Sequence, residues 1–215
     1  MEPKFWFESW DVGGTKTSFH RPDVHAYILR HLPSAALANK RVLVPLCGKS
    51  VDLVYFQEHA AQVIGVELVE KAIVQFFTEQ NLPYQKDGNR YQSGRLTMLC
   101  ADFLELTRED VGVIDVVYDR AALVALPPPM RALYVKQLDA LLPKGAQLFI
   151  NTLEYEPYMD EPPFSITPQE VATYYQDRYQ INHVEAPSLP NHRMVEKFQL
   201  AYLKEHGFLL SKFAD

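Results

Sequence analysis

Residues 41–67 read RVLVPLCGKSVDLVYFQEHAAQVIGVE, and the order of residue types in that stretch decides the fold. Residues 42–44 are a short run of branched apolar side chains, the pattern of a buried strand. Pro45 has no N–H to donate to a ladder, so the strand is expected to stop there. Gly48 sits in the loop that follows, where it permits positive φ or close approach of the backbone to a ligand. Ser50 is the expected N-cap of a helix, with Asp52 in its first turn and Val51, Val54 and Tyr55 at helical spacing. Residues 62–66 form a second apolar strand that ends at Glu67. Strand, glycine loop, helix, strand, acid is the first half of a Rossmann-like α/β unit.

Glu67 falls about twenty residues after the loop glycine, the spacing at which a carboxylate meets a pair of ribose hydroxyls. An adenosine-bearing cofactor is therefore expected, and the loop discriminates between two. A dinucleotide needs its pyrophosphate cradled by several backbone amides, hence G-x-G-x-x-G, whereas Gly48 stands alone here. S-adenosyl-L-methionine carries no phosphate, and one glycine suffices for its approach. The loop thus favours S-adenosylmethionine over NAD. The plainer alternative is an ordinary βα turn with Glu67 solvated.

At 215 residues the chain is long enough for one domain with a full core. The net charge of −6 argues against a nucleic-acid partner, which would need clustered Lys and Arg. No run of about eighteen apolar residues is present, so no membrane span is expected. The opening MEPKFWFESW is acidic and aromatic, unlike a signal peptide, and the two cysteines, Cys47 and Cys100, fit no metal spacing. They are expected to be free thiols in a reducing cytoplasm, with no metal bound.

Trp6 and Trp10, the only two tryptophans, are four residues apart and project from one face of an expected helix. They serve either as core packing or as an aromatic wall that attracts a sulfonium. Residues 11–21 are expected to be a loop in which Phe19 lines a pocket or anchors the chain, and residues 23–32 a helix. Residues 68–80 carry a clear apolar stripe of period 3.6. Residues 81–93 read as a surface connection with a short strand at 90–92, and residues 96–100 as the third strand. Asp102 and Phe103 follow it, either binding an adenine or capping a helix. Residues 113–118 form the fourth strand and end in Asp119 and Arg120. Ligands of open α/β sheets lie beyond such strand ends, so both are candidates, against a structural ion pair.

Further on, residues 130–142 read as a helix with Leu133, Leu138, Leu141 and Leu142 inward, and 147–153 as the fifth strand. The proline- and tyrosine-rich residues 154–168 are a lid or a stiff connector. Thr167 caps a helix whose first residue is Pro168, and 181–185 form a sixth strand. Residues 191–193 are expected to be polar loop, 198–203 a last antiparallel strand, and the remainder a tail.

Several strings in this order resemble the thiopurine S-methyltransferase family over nearly the whole chain. They are FW-x-x-x-W at 5–10, SFH at 18–20, VPLCGKS at 44–50, GVE at 65–67, FFTEQNL at 76–82, YDRAALVALP at 118–127 and PPF at 162–164. The resemblance implies a seven-stranded S-adenosylmethionine-dependent methyltransferase sheet in a single domain, with a helical cover over residues 1–40 and a Rossmann-like core over 41–215. It places the cofactor against Trp10, Leu46, Gly48, Glu67 and Arg120, with Trp6 and Phe103 nearby. It puts Phe19, Arg120, Pro163 and Arg193 on the substrate side. The compact form looks bacterial, where thiols and selenium or tellurium compounds join thiopurines as candidate acceptors.

Methyl transfer to an aromatic or heterocyclic thiol that ionises near neutral pH needs alignment and exclusion of water more than a strong base. Arg120 is the expected catalytic residue, stabilising the anionic sulfur or positioning a water, with Asp119 orienting it. Cys47 is not expected to be a nucleophile, since no histidine is evidently paired with it. Three alternatives stay open: a methyltransferase for halide or small thiols, an NAD-dependent dehydrogenase, and a non-catalytic S-adenosylmethionine-binding protein. The partner is expected to be a small molecule and the chain a monomer.

Overall fold

A computed structural model describes residues 3–13, 22–120 and 122–214. The fold is mixed α/β, with nine strands among the described residues. The chain divides into two compact units, Met1–Val117 and Tyr118–Asp215.

In the first unit, β1 (Arg41–Val44), β2 (Gln62–Glu67) and β5 (Leu96–Cys100) run parallel, with β2 between the other two. The start of β6 (Val116–Asp119) pairs in parallel with the other side of β1. β2 is buried almost end to end, as a central parallel strand covered on both faces must be. A hairpin of β3 (Gln85–Asp87) and β4 (Arg90–Ser93) adds antiparallel to β5. This hairpin raises the expected seven strands to nine. Its two-residue turn places Gly88 at φ +56°, and β4 buries Tyr91 and Ser93 with Gln92 exposed between them.

The helices of this unit are α1 (Pro3–Val12), α2 (Ala26–His31), α3 (Ser34–Leu37), α4 (Asp52–His59), α5 (Glu70–Glu79) and α6 (Arg108–Val111). α5 buries Ala72, Ile73, Phe76 and Phe77, the stripe legible in the sequence. Each fully buried phenylalanine contributes about 1.5–3 kcal/mol relative to leaving it in water. Asp52 is not a solvated first-turn acid: it is fully buried and accepts the His25 N–H at 2.9 Å, which ties the start of α2 to α4. Ser50 does accept from Asp52 N at 3.3 Å, but the N-cap position of α4 is Val51.

The second unit holds the end of β6, then α7 (Ala122–Ala125), α8 (Pro128–Leu141), β7 (Gln147–Glu156), α9 (Pro168–Tyr175), β8 (Tyr179–Glu185), α10 (Arg193–Lys197) and β9 (Tyr202–Lys212). β9 runs antiparallel between β7 and β8. The expected C-terminal tail is thus a full strand, and residues 198–201 are the turn before it. Buried Glu205 and His206 interrupt its apolar pattern and hide it in the sequence. Val113 is 73% exposed because the strand begins only at Val116. Leu133 is 55% exposed because the buried stripe of α8 is Arg131, Tyr134, Val135, Leu138 and Leu141. Thr167 caps α9 through Glu170 N at 3.2 Å, with Pro168 at the first helical position. No described helix is long and apolar enough to cross a membrane.

Candidate functional site

After β1 the chain turns sharply, and two of its residues take left-handed backbone conformations: Leu46 at φ +47° and Gly48 at φ +54°. For leucine that conformation costs about 1–2 kcal/mol, and such strain persists where the surroundings over-determine it, typically at ligand sites. Cys47 N donates to Val66 O at 2.9 Å, which stitches the loop onto β2. The Cys47 side chain packs on Gly65, where an added Cβ would lie 3.0 Å from Sγ. Burial, and then the charge of Glu67, push the Cys47 thiol well above its usual range, so it is no nucleophile at neutral pH.

Glu67 ends β2 and closes on this loop. Gly48 N donates to its Oε2 at 2.9 Å, and Val69 N donates to its Oε1 at 2.8 Å. At 7% exposure, burial pushes its carboxyl up to about 7, against the backbone donors, which pull it down. An ionised carboxylate offers about four lone-pair sites, and these bonds use two of them, with a weaker third contribution from the Leu68 N–H. The remainder suit two hydroxyl donors, as a vicinal diol presents. Trp10 is buried against Val69 and Ala72, with Trp6 and Leu68 packed beside it. The residues that follow Glu67 therefore lie under both indoles. Ala101 N donates to Glu67 O at 3.0 Å, and Phe103 is buried just beyond, at the start of a short 3-10 turn, Phe103–Glu105. Asp102 accepts from Leu104 N at 2.9 Å, so it caps that turn.

In this unit the chain thus gathers Leu46, Gly48 and Glu67 directly, with Trp6 and Trp10 against the next residues and Phe103 following the neighbouring strand. Phe19 lies outside the described residues.

In the second unit, Asp119 is fully buried at the end of β6. Its Oδ1 accepts from Ala122 N at 3.0 Å and Leu123 N at 3.1 Å, and its Oδ2 from Tyr134 OH at 2.7 Å. Burial pushes its carboxyl up to about 6 despite these donors. Asp119 therefore caps α7 and fixes the turn that carries Arg120, which is half-buried.

Pro163 lies in a segment pinned on both sides. Phe164 N donates to Val124 O at 2.7 Å, Ile166 N to Leu153 O at 2.7 Å, and Tyr155 OH to Pro163 O at 2.5 Å. Tyr155 N adds a bond to Ser165 Oγ at 2.9 Å. Residues 162–166 are thus tied by hydrogen bonds to the end of α7 and to β7. Arg193 opens α10 instead of lying in a loop, and His192 Nδ1 accepts from Met194 N at 3.3 Å as the cap. Met194 packs with Tyr155, Leu200 and Leu203.

The sequence did not reveal the left-handed Leu46, the Tyr134 partner of Asp119, or buried Arg131. Arg131 did leave a signal: it stands three, four and seven residues before Tyr134, Val135 and Leu138, on an otherwise apolar stripe.

The family model described as thiopurine S-methyltransferase matches residues 1–212. A thiopurine S-methyltransferase of Pseudomonas fluorescens (strain SBW25) is 43% identical over 192 residues, 86% of this chain and 87% of that one. One from Shewanella sp. (strain ANA-3) is 36% identical over 220 residues, 99% of this chain and 100% of that one. Among solved structures, the 1,6-didemethyltoxoflavin-N1-methyltransferase of Burkholderia thailandensis, with bound 1,6-didemethyltoxoflavin and S-adenosylhomocysteine, matches with a TM-score of 0.65 at 18% identity. It covers 98% of this chain and 87% of that one, a likeness of fold.

Proposed function

We propose that this chain, which belongs to the thiopurine S-methyltransferase family, moves the methyl of S-adenosylmethionine to the sulfur of an aromatic or heterocyclic thiol. The observation that carries the reading is Glu67: a buried carboxylate at the end of β2, held by Gly48 N and Val69 N with acceptor capacity to spare. A vicinal diol is the ligand that capacity fits. The strained turn at Leu46 and Gly48 supports close approach of backbone to the same ligand.

The cofactor supplies a methyl activated by a sulfonium, so transfer to sulfur is one in-line displacement whose only proton leaves the acceptor thiol beforehand. The protein's task is to align the two sulfurs and exclude water. In this reading Gly48 and Glu67 hold the ribose, and Leu46, Trp6, Trp10 and Phe103 form apolar and aromatic walls. Arg120 stabilises the acceptor's anionic sulfur or positions the water that takes its proton. Asp119 sets Arg120 through the backbone, by capping α7. Pro163, and at greater remove Phe19 and Arg193, are assigned to the acceptor side. Thiols other than thiopurines, and selenium or tellurium compounds, belong to the same acceptor class because they too offer a soft, easily ionised nucleophile.

The test is intrinsic fluorescence during titration with S-adenosylhomocysteine, with NAD as control. Both tryptophans lie on α1, so the signal is local. A saturable change with S-adenosylhomocysteine and none with NAD is expected. No change, together with no heat of binding, would refute the reading. Arg120→Ala is expected to lower kcat for an aromatic thiol by about a hundredfold while leaving that titration unchanged.

A further inference from the structure

We propose that Arg131 is the positioning residue of the acceptor wall, its guanidinium fixing Phe164, and with it Pro163, against the end of α7. The inference rests on the reading that Pro163 faces the acceptor.

Arg131 sits on the buried stripe of α8 and is 1% exposed. Its Nε donates to Leu126 O at 2.7 Å, just past the end of α7. Its Nη1 donates to Glu170 Oε1 at 2.5 Å on α9. Its Cζ lies over the Phe164 ring, 5.4 Å from the centroid. Its Nη2 is buried with no hydrogen-bond partner. A cation is thus buried with one of its donor groups unsatisfied, an arrangement that a methionine of similar volume would avoid. What the guanidinium contributes that an apolar side chain does not is geometry. One rigid planar group links three segments: the end of α7, the connector at Phe164, and α9.

Two of those segments bear on the acceptor side, and α9 anchors the guanidinium through Glu170. α7 begins just after Arg120, and Phe164 follows Pro163 directly. The connector also keeps its backbone bond from Phe164 N to Val124 O and its tyrosine bond to Pro163 O. Removing the guanidinium therefore leaves the wall attached but displaced. Lysine can still reach Glu170 as a point charge, but it lacks both the Nε donor and the planar face. It is expected to restore part of the function.

The experiment is steady-state kinetics of Arg131→Met, Arg131→Lys and Phe164→Leu with 6-mercaptopurine as the varied acceptor, alongside S-adenosylhomocysteine binding by fluorescence. Arg131→Met is expected to raise the acceptor KM about tenfold or more, with kcat within about threefold and S-adenosylhomocysteine Kd within about twofold. Arg131→Lys should fall between it and wild type. Phe164→Leu keeps apolar bulk but loses the ring face, and should raise KM in the same direction by less; it carries the test if Arg131→Met does not fold. An unchanged acceptor KM in the folded variants overturns the proposal. So does a loss in which KM, S-adenosylhomocysteine affinity and thermal stability decline together in Arg131→Lys, because that is a structural role alone. A wild type that neither binds S-adenosylhomocysteine nor methylates the thiol overturns the functional reading and this proposal with it. Intact cofactor binding with unmoved acceptor KM overturns only the proposal.

Discussion

Glu67 and Asp119 are the same kind of group in the same kind of place. Each is a buried carboxylate at the carboxyl end of a strand that runs parallel to β1, and burial raises the pKa of each, to about 7 and about 6. They differ in how their lone pairs are used. Asp119 accepts from two backbone N–H groups and a buried tyrosine hydroxyl, all supplied by its own unit. Glu67 accepts from the Gly48 and Val69 N–H groups, with a weaker contribution from the Leu68 N–H, so its donors are all backbone groups of the loop and of the strand end. The lesson is that burial and a raised pKa do not by themselves distinguish a ligand-binding acid from a structural one. We propose that what separates them is the kind of donor: a buried tyrosine hydroxyl closes Asp119, whereas backbone donors leave Glu67 room for a ligand.

The largest effect expected from this contrast is on stability, at Asp119. Asp119→Ala strands the Ala122 and Leu123 N–H groups and the Tyr134 hydroxyl in a buried site, and should cost about 3–4 kcal/mol. Asp119→Asn keeps an oxygen acceptor and should cost less than half of that. Urea unfolding measures both. A loss under about 1 kcal/mol for the alanine variant would show that the cap is not what Asp119 provides.

At Glu67 the effect should move from stability to binding. Glu67→Gln keeps the shape but weakens two hydrogen bonds to a charged acceptor, and should lower S-adenosylhomocysteine affinity about 30- to 100-fold. Urea stability should fall by about 1–2 kcal/mol, less than for Asp119→Ala, since the new amide NH2 must face the N–H of Gly48 or Val69. If Glu67→Gln instead destabilises the fold as much as Asp119→Ala does, the two acids play one role and the comparison fails.

The raised pKa of Glu67 sharpens the point through pH. Its folded value of about 7 lies above the ordinary value of 4.5, so between those limits the folded state holds a proton that the unfolded state has lost. The stability this group contributes is therefore fully present below about pH 4.5 and is lost as pH rises through about 7, by about 1.4 kcal/mol per unit at most. Cofactor binding runs the other way. Two hydroxyl donors need the ionised form, so binding below about pH 7 must release a proton. S-adenosylhomocysteine Kd should then rise by up to about tenfold per unit as pH falls, and calorimetry in buffers of differing ionisation enthalpy should detect the proton. A flat Kd between pH 5 and 7 would mean that Glu67 does not meet the diol.

The sequence made the first of these acids legible and left the second half-read, for physical reasons. Residues 41–67 show strand, glycine loop, helix, strand and acid because each is a local pattern of residue type and spacing. The same holds for α5, whose stripe is local. The partners of Asp119 are not local in that sense. Tyr134 lies fifteen residues further on, and only tertiary packing brings its hydroxyl to Oδ2. Only the first two residues of β9 fall in the expected last strand, because buried Glu205 and His206 look like surface residues until packed beside β7, with Glu154 Oε2 at 2.9 Å from His206 Nε2. Of the hairpin, β4 is foreseen at 90–92, whereas β3, three exposed residues long, is too short to show a period. Buried polar groups and short strands are where sequence pattern and structure part company.

The smallest expected effect tests whether the loop, and not only the acid, is shaped for a ligand. Gly48 at φ +54° gives alanine a left-handed conformation that costs about 1 kcal/mol. That much is expected of any turn glycine, and thermal unfolding of Gly48→Ala should show it. The informative quantity is the cofactor affinity of the same variant. Leu46, two residues earlier, already holds a left-handed conformation with a side chain in place. If Gly48 serves the turn alone, alanine should leave S-adenosylhomocysteine Kd within about twofold once the protein is folded. If the backbone at Gly48 must approach the ligand while its N–H holds Glu67, the added Cβ intrudes on that approach and Kd should rise about tenfold or more. The second outcome supports loop and acid acting in one binding site; the first removes Gly48 from the proposed ribose contacts.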